Sequence, residues 1–134
     1  MIWKHQGVEV TEPPEGVIGF IYEITSLIDG KKYIGKKLFK FTRSKMIKGK
    51  KKKVQIASDW LKYYGSNDKL NEDVVAFGEE NFEREILYYC YSKAEMSYLE
   101  TSLQFEKQVL LSDKYYNSWI SCKIHKSHVK KLYL

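Results

Sequence analysis

Two tyrosines eleven residues apart, Tyr22 in Gly19-Phe20-Ile21-Tyr22 and Tyr33 in Tyr33-Ile34-Gly35, constrain this chain more than any other feature. Apolar and polar residues alternate from Val17 to Thr25, and a second short β-prone run begins at Lys31. Asp29-Gly30 between them tolerates the positive φ of a tight turn, so the pattern predicts a β-hairpin. With Ser26 to Asp29 as the loop, Tyr22 lies opposite Tyr33. With Asp29-Gly30 alone as a two-residue turn, Tyr22 faces Lys37 instead. Side chains alternate between the faces of a strand, so either register puts both phenols on one side of the sheet. The pair Lys36-Lys37 follows on the same strand.

What surrounds the hairpin bounds the rest. A chain of 134 residues with 15% aromatics supports one domain around one core. A net charge of +6 favours an anionic partner, most often nucleic acid. No apolar run reaches membrane-spanning length and no signal-like segment opens the chain, which argues against membrane and secretion and for the cytoplasm. Two cysteines, Cys90 and Cys122, make no disulfide framework.

Residues 1–16 read as an extended N-terminal arm: Val8 and Val10 alternate, Pro13-Pro14 forbids helix, and Trp3 is expected to dock on the domain. The main body covers residues 17–117. A basic insert spans residues 36–57. Between Lys36 and Lys53 it holds ten Lys or Arg and no acidic residue. So much like charge predicts a loop, either simply solvated or contacting phosphates through Lys36, Lys37, Lys45, Lys48, Lys50, Lys51, Lys52 and Lys53. Ser58 caps a short helix through Tyr64 that Gly65 ends. Asn67 or Asp68 starts a second helix with Leu70, Val74 and Phe77 on one stripe and Gly78 as its stop. Phe82 to Tyr91 alternates as a third strand. Ser92-Lys93-Ala94-Glu95 is a capping box opening a helix to about Leu111, striped by Met96, Leu99, Leu103 and Leu110. Residues 118–134 form a basic tail. Its Cys122, His125 and His128 are too few for structural zinc, and the histidines are assigned to phosphate contact with the lysines. Between Asn71 and Glu106 nine acidic residues face two basic ones, the reverse of the lysine block, which suits a protein that lays one side on a polyanion. Glu100 sits beside the apolar stripe of its helix, where a carboxylate must be paired or hold a cation.

Taken in order, these residues resemble the GIY-YIG nucleases. The first signature motif is stretched to Gly19-Phe20-Ile21-Tyr22, and the second, Tyr33-Ile34-Gly35, is intact. Arg43 stands eight residues beyond Gly35, Gly78 to Phe82 matches a Gly-x-x-x-Phe step into the third strand, and Glu100 and Asn117 match the glutamate and asparagine that follow. The resemblance implies an α/β domain over residues 17–117, with a small, mainly antiparallel three-stranded sheet flanked by helices. It implies a metal-dependent endonuclease on DNA, with Tyr22, Tyr33, Arg43, Glu100 and Asn117 as the catalytic set. Glu100 would hold Mg²⁺ (or Mn²⁺). Tyr22 would act as base or proton relay, Tyr33 would position phosphate or water, and Arg43 would neutralise developing charge. Asn117 would tie the Glu100 helix to the site. Lys37 or Lys45 is the alternative cation, and Tyr64 stands near the place of a histidine that many relatives carry. Phage origin fits these motifs, and double-strand cutting would call for a homodimer on the DNA. The rival from another class is a basic nucleic-acid-binding protein that keeps the scaffold without cutting.

Overall fold

The computed structural model describes residues 2–133, the side chains of 131–133 excepted. Met1 and Leu134, the outer ends of the expected arm and tail, and the Leu132 side chain lie outside the described residues. The described strands are β1 (Trp3–His5), β2 (Val8–Val10), β3 (Gly19–Ser26), β4 (Lys32–Leu38), β5 (Lys40–Ile47), β6 (Lys50–Ala57) and β7 (Phe82–Cys90). The helices are α1 (Asp68–Phe77), α2 (Lys93–Glu106) and α3 (Lys126–Tyr133), with short 3₁₀ turns at Trp60–Lys62 and Glu79–Asn81.

The main sheet has five strands and not three, in the order β2-β1-β7-β3-β4. The expected trio is β7, β3 and β4, antiparallel throughout, while the other two strands come from the N-terminal arm. That arm is extended, as read, but it is also hydrogen-bonded. It folds into the β1–β2 hairpin, and β1 lies parallel to β7 with Trp3 opposite Arg84. The cause is Trp3 itself, which is fully buried and donates its indole N–H to Trp60 O at 2.6 Å. Strands of three residues are too short for alternation to reveal them.

The hairpin takes a register between the two considered. Tyr22 faces Gly35 and Tyr33 faces Ile24, with Ser26 N–H donating to Lys31 O at 2.8 Å to close the loop. Parity decides the outcome: both phenols share a face, their ring centroids 6.1 Å apart. Gly35 must be glycine because the Tyr22 phenol crosses directly over it. A Cβ there would lie 2.5 Å from the Tyr22 hydroxyl.

The basic insert is not a loop. β5 and β6 pair along their whole length as a separate antiparallel ribbon, hydrogen-bonded to each other and not to the main sheet. Lys48 and Gly49 make its turn with φ of 51° and 77°, the left-handed pair that matches strand twist. Phe41 opposite Ile56 and Arg43 opposite Val54 give one face enough apolar contact to offset Lys45 standing opposite Lys52. At the ribbon's base Ser58 N–H donates to Phe39 O at 2.8 Å.

α1 starts and stops as read, with Asn67 Oδ1 accepting from Leu70 N–H at 2.9 Å and Gly78 at the end. The expected helix after Ser58 shrinks to a 3₁₀ turn, and Tyr63 is already extended. In α2 the Ser92 hydroxyl accepts from Glu95 N–H, and the Glu95 carboxylate accepts from Tyr91 N–H. α2 ends at Glu106, short of Leu111, because Gln108 turns at φ 52° and buries Val109 where Leu110 was expected. One core lies under Trp3, Phe20, Tyr22, Phe39 and Trp60; the other lies between the opposite sheet face and α2. Among the described residues no helix is long and apolar enough to cross a membrane.

Candidate active site

The site forms where the covering of the β4 edge stops. Residues after α2 run alongside β4: Lys32 N–H donates to Lys114 O, Tyr116 N–H donates to Lys32 O, and Lys32 bridges Tyr115 in parallel. A continuing strand would next satisfy Ile34. Instead the Asn117 side chain does so, its Oδ1 accepting from Ile34 N–H at 3.1 Å and its Nδ2 donating to Ile34 O at 2.8 Å. One carboxamide thus stands in for a peptide group, and the backbone is released from the edge. Gln104 of α2 donates to the same Ile34 carbonyl at 3.0 Å. Asn117 therefore holds strand β4, and Gln104 is the residue that ties the glutamate-bearing helix to it.

The release opens a cleft of about 280 Å³, lined by Tyr33, Glu100, Gln104, Asn117, Ser66 and Trp119 among others. Tyr33 shares a hydrogen bond of 3.0 Å with Ser66. Burial pushes the Glu100 carboxyl above the usual carboxylate range, and the Lys36 ammonium and backbone amide pull it back. That ammonium stands 4.0 Å away, at the limit of an ion pair, and donates more closely to Ser97 at 2.9 Å. Glu100 is thus a desolvated carboxylate with acceptor capacity to spare, facing a polar cleft. Among the described residues no three His, Cys, Asp or Glu gather to hold a metal. One carboxylate with room for water and phosphate suits Mg²⁺ or Mn²⁺ better than a closed zinc cage.

Behind Tyr33 lies Tyr22, buried, with the Tyr63 ring against it, centroids 6.0 Å apart. Burial first, then the neighbouring phenols, hold its pKa well above that of a free tyrosine. Tyr63 crosses the Tyr22 ring at 90° and carries the Lys37 ammonium 4.0 Å over its own ring. Lys37 in turn pairs with Asp59 at 2.6 Å. Arg84 anchors this segment from beneath, donating to Leu61 O and Tyr63 O at 3.0 and 2.9 Å.

The structure therefore brings Tyr22, Tyr33, Glu100 and Asn117 together, with Lys36 and Lys37 alongside. Tyr64 turns the other way, buried against the Arg84 guanidinium; Tyr63 takes the position beside Tyr22. Arg43 is exposed on the ribbon, 5.2 Å from the Phe41 ring, whose centroid is also 5.1 Å from Lys37 Nζ. It lies outside the residues that line the cleft. Lys45, Lys48, Lys50, Lys51, Lys52 and Lys53 are all exposed along the ribbon. Cys122 lies beside α2, its thiol donating to Ser97 O at 3.6 Å, while the rings of His125 and His128 are 5.7 Å apart at the start of α3. The sequence reading missed Gln104; its spacing, four residues after Glu100 and hence on the same helix face, is the signal that points to it. Tyr63 and Tyr64 are adjacent, and nothing local says which one turns toward Tyr22.

The site is thus a sheet edge released beside one desolvated glutamate and two tilted phenols, ring centroids 6.1 Å apart. The family model described as "Putative endonuclease segE, GIY-YIG domain" matches residues 3–120, so the chain belongs to the GIY-YIG nuclease family. The chain is also similar to the "Putative endonuclease segE" of Enterobacteria phage T4, 31% identical over 100 residues. That stretch is 73% of this chain and 39% of the relative, so the chain spans about two fifths of the relative's length. No solved structure matches the chain.

Proposed function

We propose that this chain is a divalent-metal-dependent endonuclease that hydrolyses DNA phosphodiester bonds in the cleft at the β4 edge. The observation that carries this reading is Glu100, a carboxylate raised by burial and only loosely paired, sharing one cleft with Tyr33 and Asn117. Family membership and the relative from phage T4 support the reaction class.

Glu100 would hold the Mg²⁺ or Mn²⁺. Bound there, the ion would polarise the scissile phosphate and stabilise the leaving 3′ oxygen. Tyr33 lines the cleft and orients the attacking water or a phosphate oxygen. Tyr22 lies one ring deeper, and a phenol raised by burial is no free base at neutral pH. Its role is that of a proton relay beneath Tyr33, with the Tyr63 ring and the Lys37 ammonium alongside. Lys36 and Lys37 supply the positive charge nearest the cleft, and Arg43 adds to it only if the ribbon folds inward on the substrate. Asn117 and Gln104 fix β4, and with it Tyr33, against α2. One such site cuts one strand per encounter, so double-strand breaks require two chains on the duplex.

Supercoiled plasmid incubated with the chain and Mg²⁺ should give nicked circles first, and EDTA should abolish them. Intact plasmid under both conditions, with binding retained, would leave the non-cutting rival standing.

A further inference from the structure

We infer that the β5–β6 ribbon is a groove-reading arm that enters the major groove of B-form duplex DNA. The inference deepens the nuclease reading and rests on it only in taking a nucleic acid as the partner.

Three observations carry it. The ribbon is detached from the main sheet, and its eight-residue strands reach roughly 27 Å, several base pairs along a duplex. Among the described residues no carboxylate pairs with any of its cations, so its charge is left for an outside partner. Its two faces also differ. Phe41, Ile47 and Val54 on one face are partly covered; Thr42, Ser44, Met46, Lys51, Lys53 and Gln55 on the other are all exposed. The open face carries hydrogen-bonding side chains interrupted by Met46, has no aromatic ring, and at its base Thr42 and Gln55 line a groove shared with residues 13–18.

These features choose among nucleic acids. The B-form major groove admits a two-stranded ribbon and shows a distinct donor and acceptor pattern for each base pair. The A-form groove of duplex RNA is too deep and narrow for side chains to read. Single strands are gripped by stacked aromatics, and the only ring on the ribbon, Phe41, lies at its base against Lys37 and Arg43. Thr42, Ser44 and Gln55 would meet base edges, while Lys45, Lys50 and Lys52 on the other face reach up the groove walls to phosphates.

The base of the ribbon provides the test. Ser58 N–H already donates to Phe39 O, so replacing residues 40–57 by Asn-Gly converts that bond into the closing bond of a two-residue turn. Binding is measured by fluorescence anisotropy on one sequence as duplex DNA, duplex RNA and single strand. The full chain should prefer duplex DNA by about tenfold or more, and methyl green, a major-groove ligand, should displace it while netropsin in the minor groove does not. The ribbonless chain should lose that preference and about 0.9 of salt slope for each phosphate contact removed. Should it misfold, Thr42→Ala/Ser44→Ala/Gln55→Ala replaces it, with affinities expected to converge across unrelated sequences at an unchanged salt slope. Equal affinity for duplex RNA, displacement by netropsin alone, undiminished DNA preference in the ribbonless chain, or sequence differences fully kept by the triple variant would overturn the inference. Plasmid cleavage by the full chain judges the nuclease reading separately, since the ribbon binds a groove whether or not the cleft cuts.

Discussion

Glu100 separates a nuclease from a mere binder because its two possible duties respond oppositely to the same substitution. Burial raises its carboxyl, so the native state keeps a proton at a pH where the unfolded chain has released it. Stability therefore falls as pH climbs from the ordinary carboxylate value toward the raised one. Glu100→Gln removes that dependence, so its Tm should equal or exceed the wild-type value near neutrality. Plasmid cleavage should drop by orders of magnitude, since about 1.4 kcal/mol of lost transition-state stabilisation is tenfold in rate. A lower Tm with full cleavage would make Glu100 nothing more than the partner of Lys36. Asn117 is tested by its donor. Asn117→Asp can still accept from Ile34 N–H, but it sets an anion against the Ile34 carbonyl. We expect a loss on the order of 2 kcal/mol, seen as a Tm lowered by several degrees, and weakened cleavage even where the chain is folded. An unchanged Tm would show that Gln104 alone holds the edge.

At the scale of elements, the ribbon turn carries a removable strain. Lys48 sits at φ 51°, where asparagine is far better tolerated than lysine. Lys48→Asn should stabilise the ribbon by about 1 kcal/mol and slow amide exchange at Arg43, Lys45 and Val54 about fivefold. Exchange as fast as wild type would mean that fraying starts elsewhere in the ribbon. The same element shows where sequence reading stops. Lys48-Gly49 is a hairpin signal, but the lysines on either side argue for a loop, and only the cross-strand contacts of Phe41 and Val54 tip the balance back to paired strands. The hairpin of the two tyrosines was readable because period-two alternation preserves face whatever the register. β7, α1 and the start of α2 were readable from alternation and caps. β1 and β2 were not, because a three-residue strand joins a sheet through a distant partner. In the site, Tyr33, Glu100 and Asn117 were legible from motif spacing. Which tyrosine of the Tyr63-Tyr64 pair faces Tyr22 depends on Arg84, a residue far along the chain.

For the whole molecule, the tyrosines link stability to alkali. Burial raises Tyr22, Tyr33, Tyr64, Tyr89 and Tyr116 above the free phenol. Up to about pH 10 folded and unfolded chains hold these protons equally; beyond it the unfolded chain releases them first, and stability falls. Melting followed across the alkaline range should show a Tm that turns downward near pH 10, with phenolate absorbance at about 295 nm appearing together with unfolding. Smooth phenolate titration at constant Tm would show that these rings are open to solvent. The parallel pairing of β1 with β7 adds a consequence in time. Synthesis begins at the N-terminus, yet Trp3 has no seat until Arg84 has been made. Until then the growing chain carries Trp3, Phe20 and Tyr22 without β7 beside them. The local hairpins β3–β4 and β5–β6 need nothing made later, but the main sheet closes around Trp3 only once β7 exists.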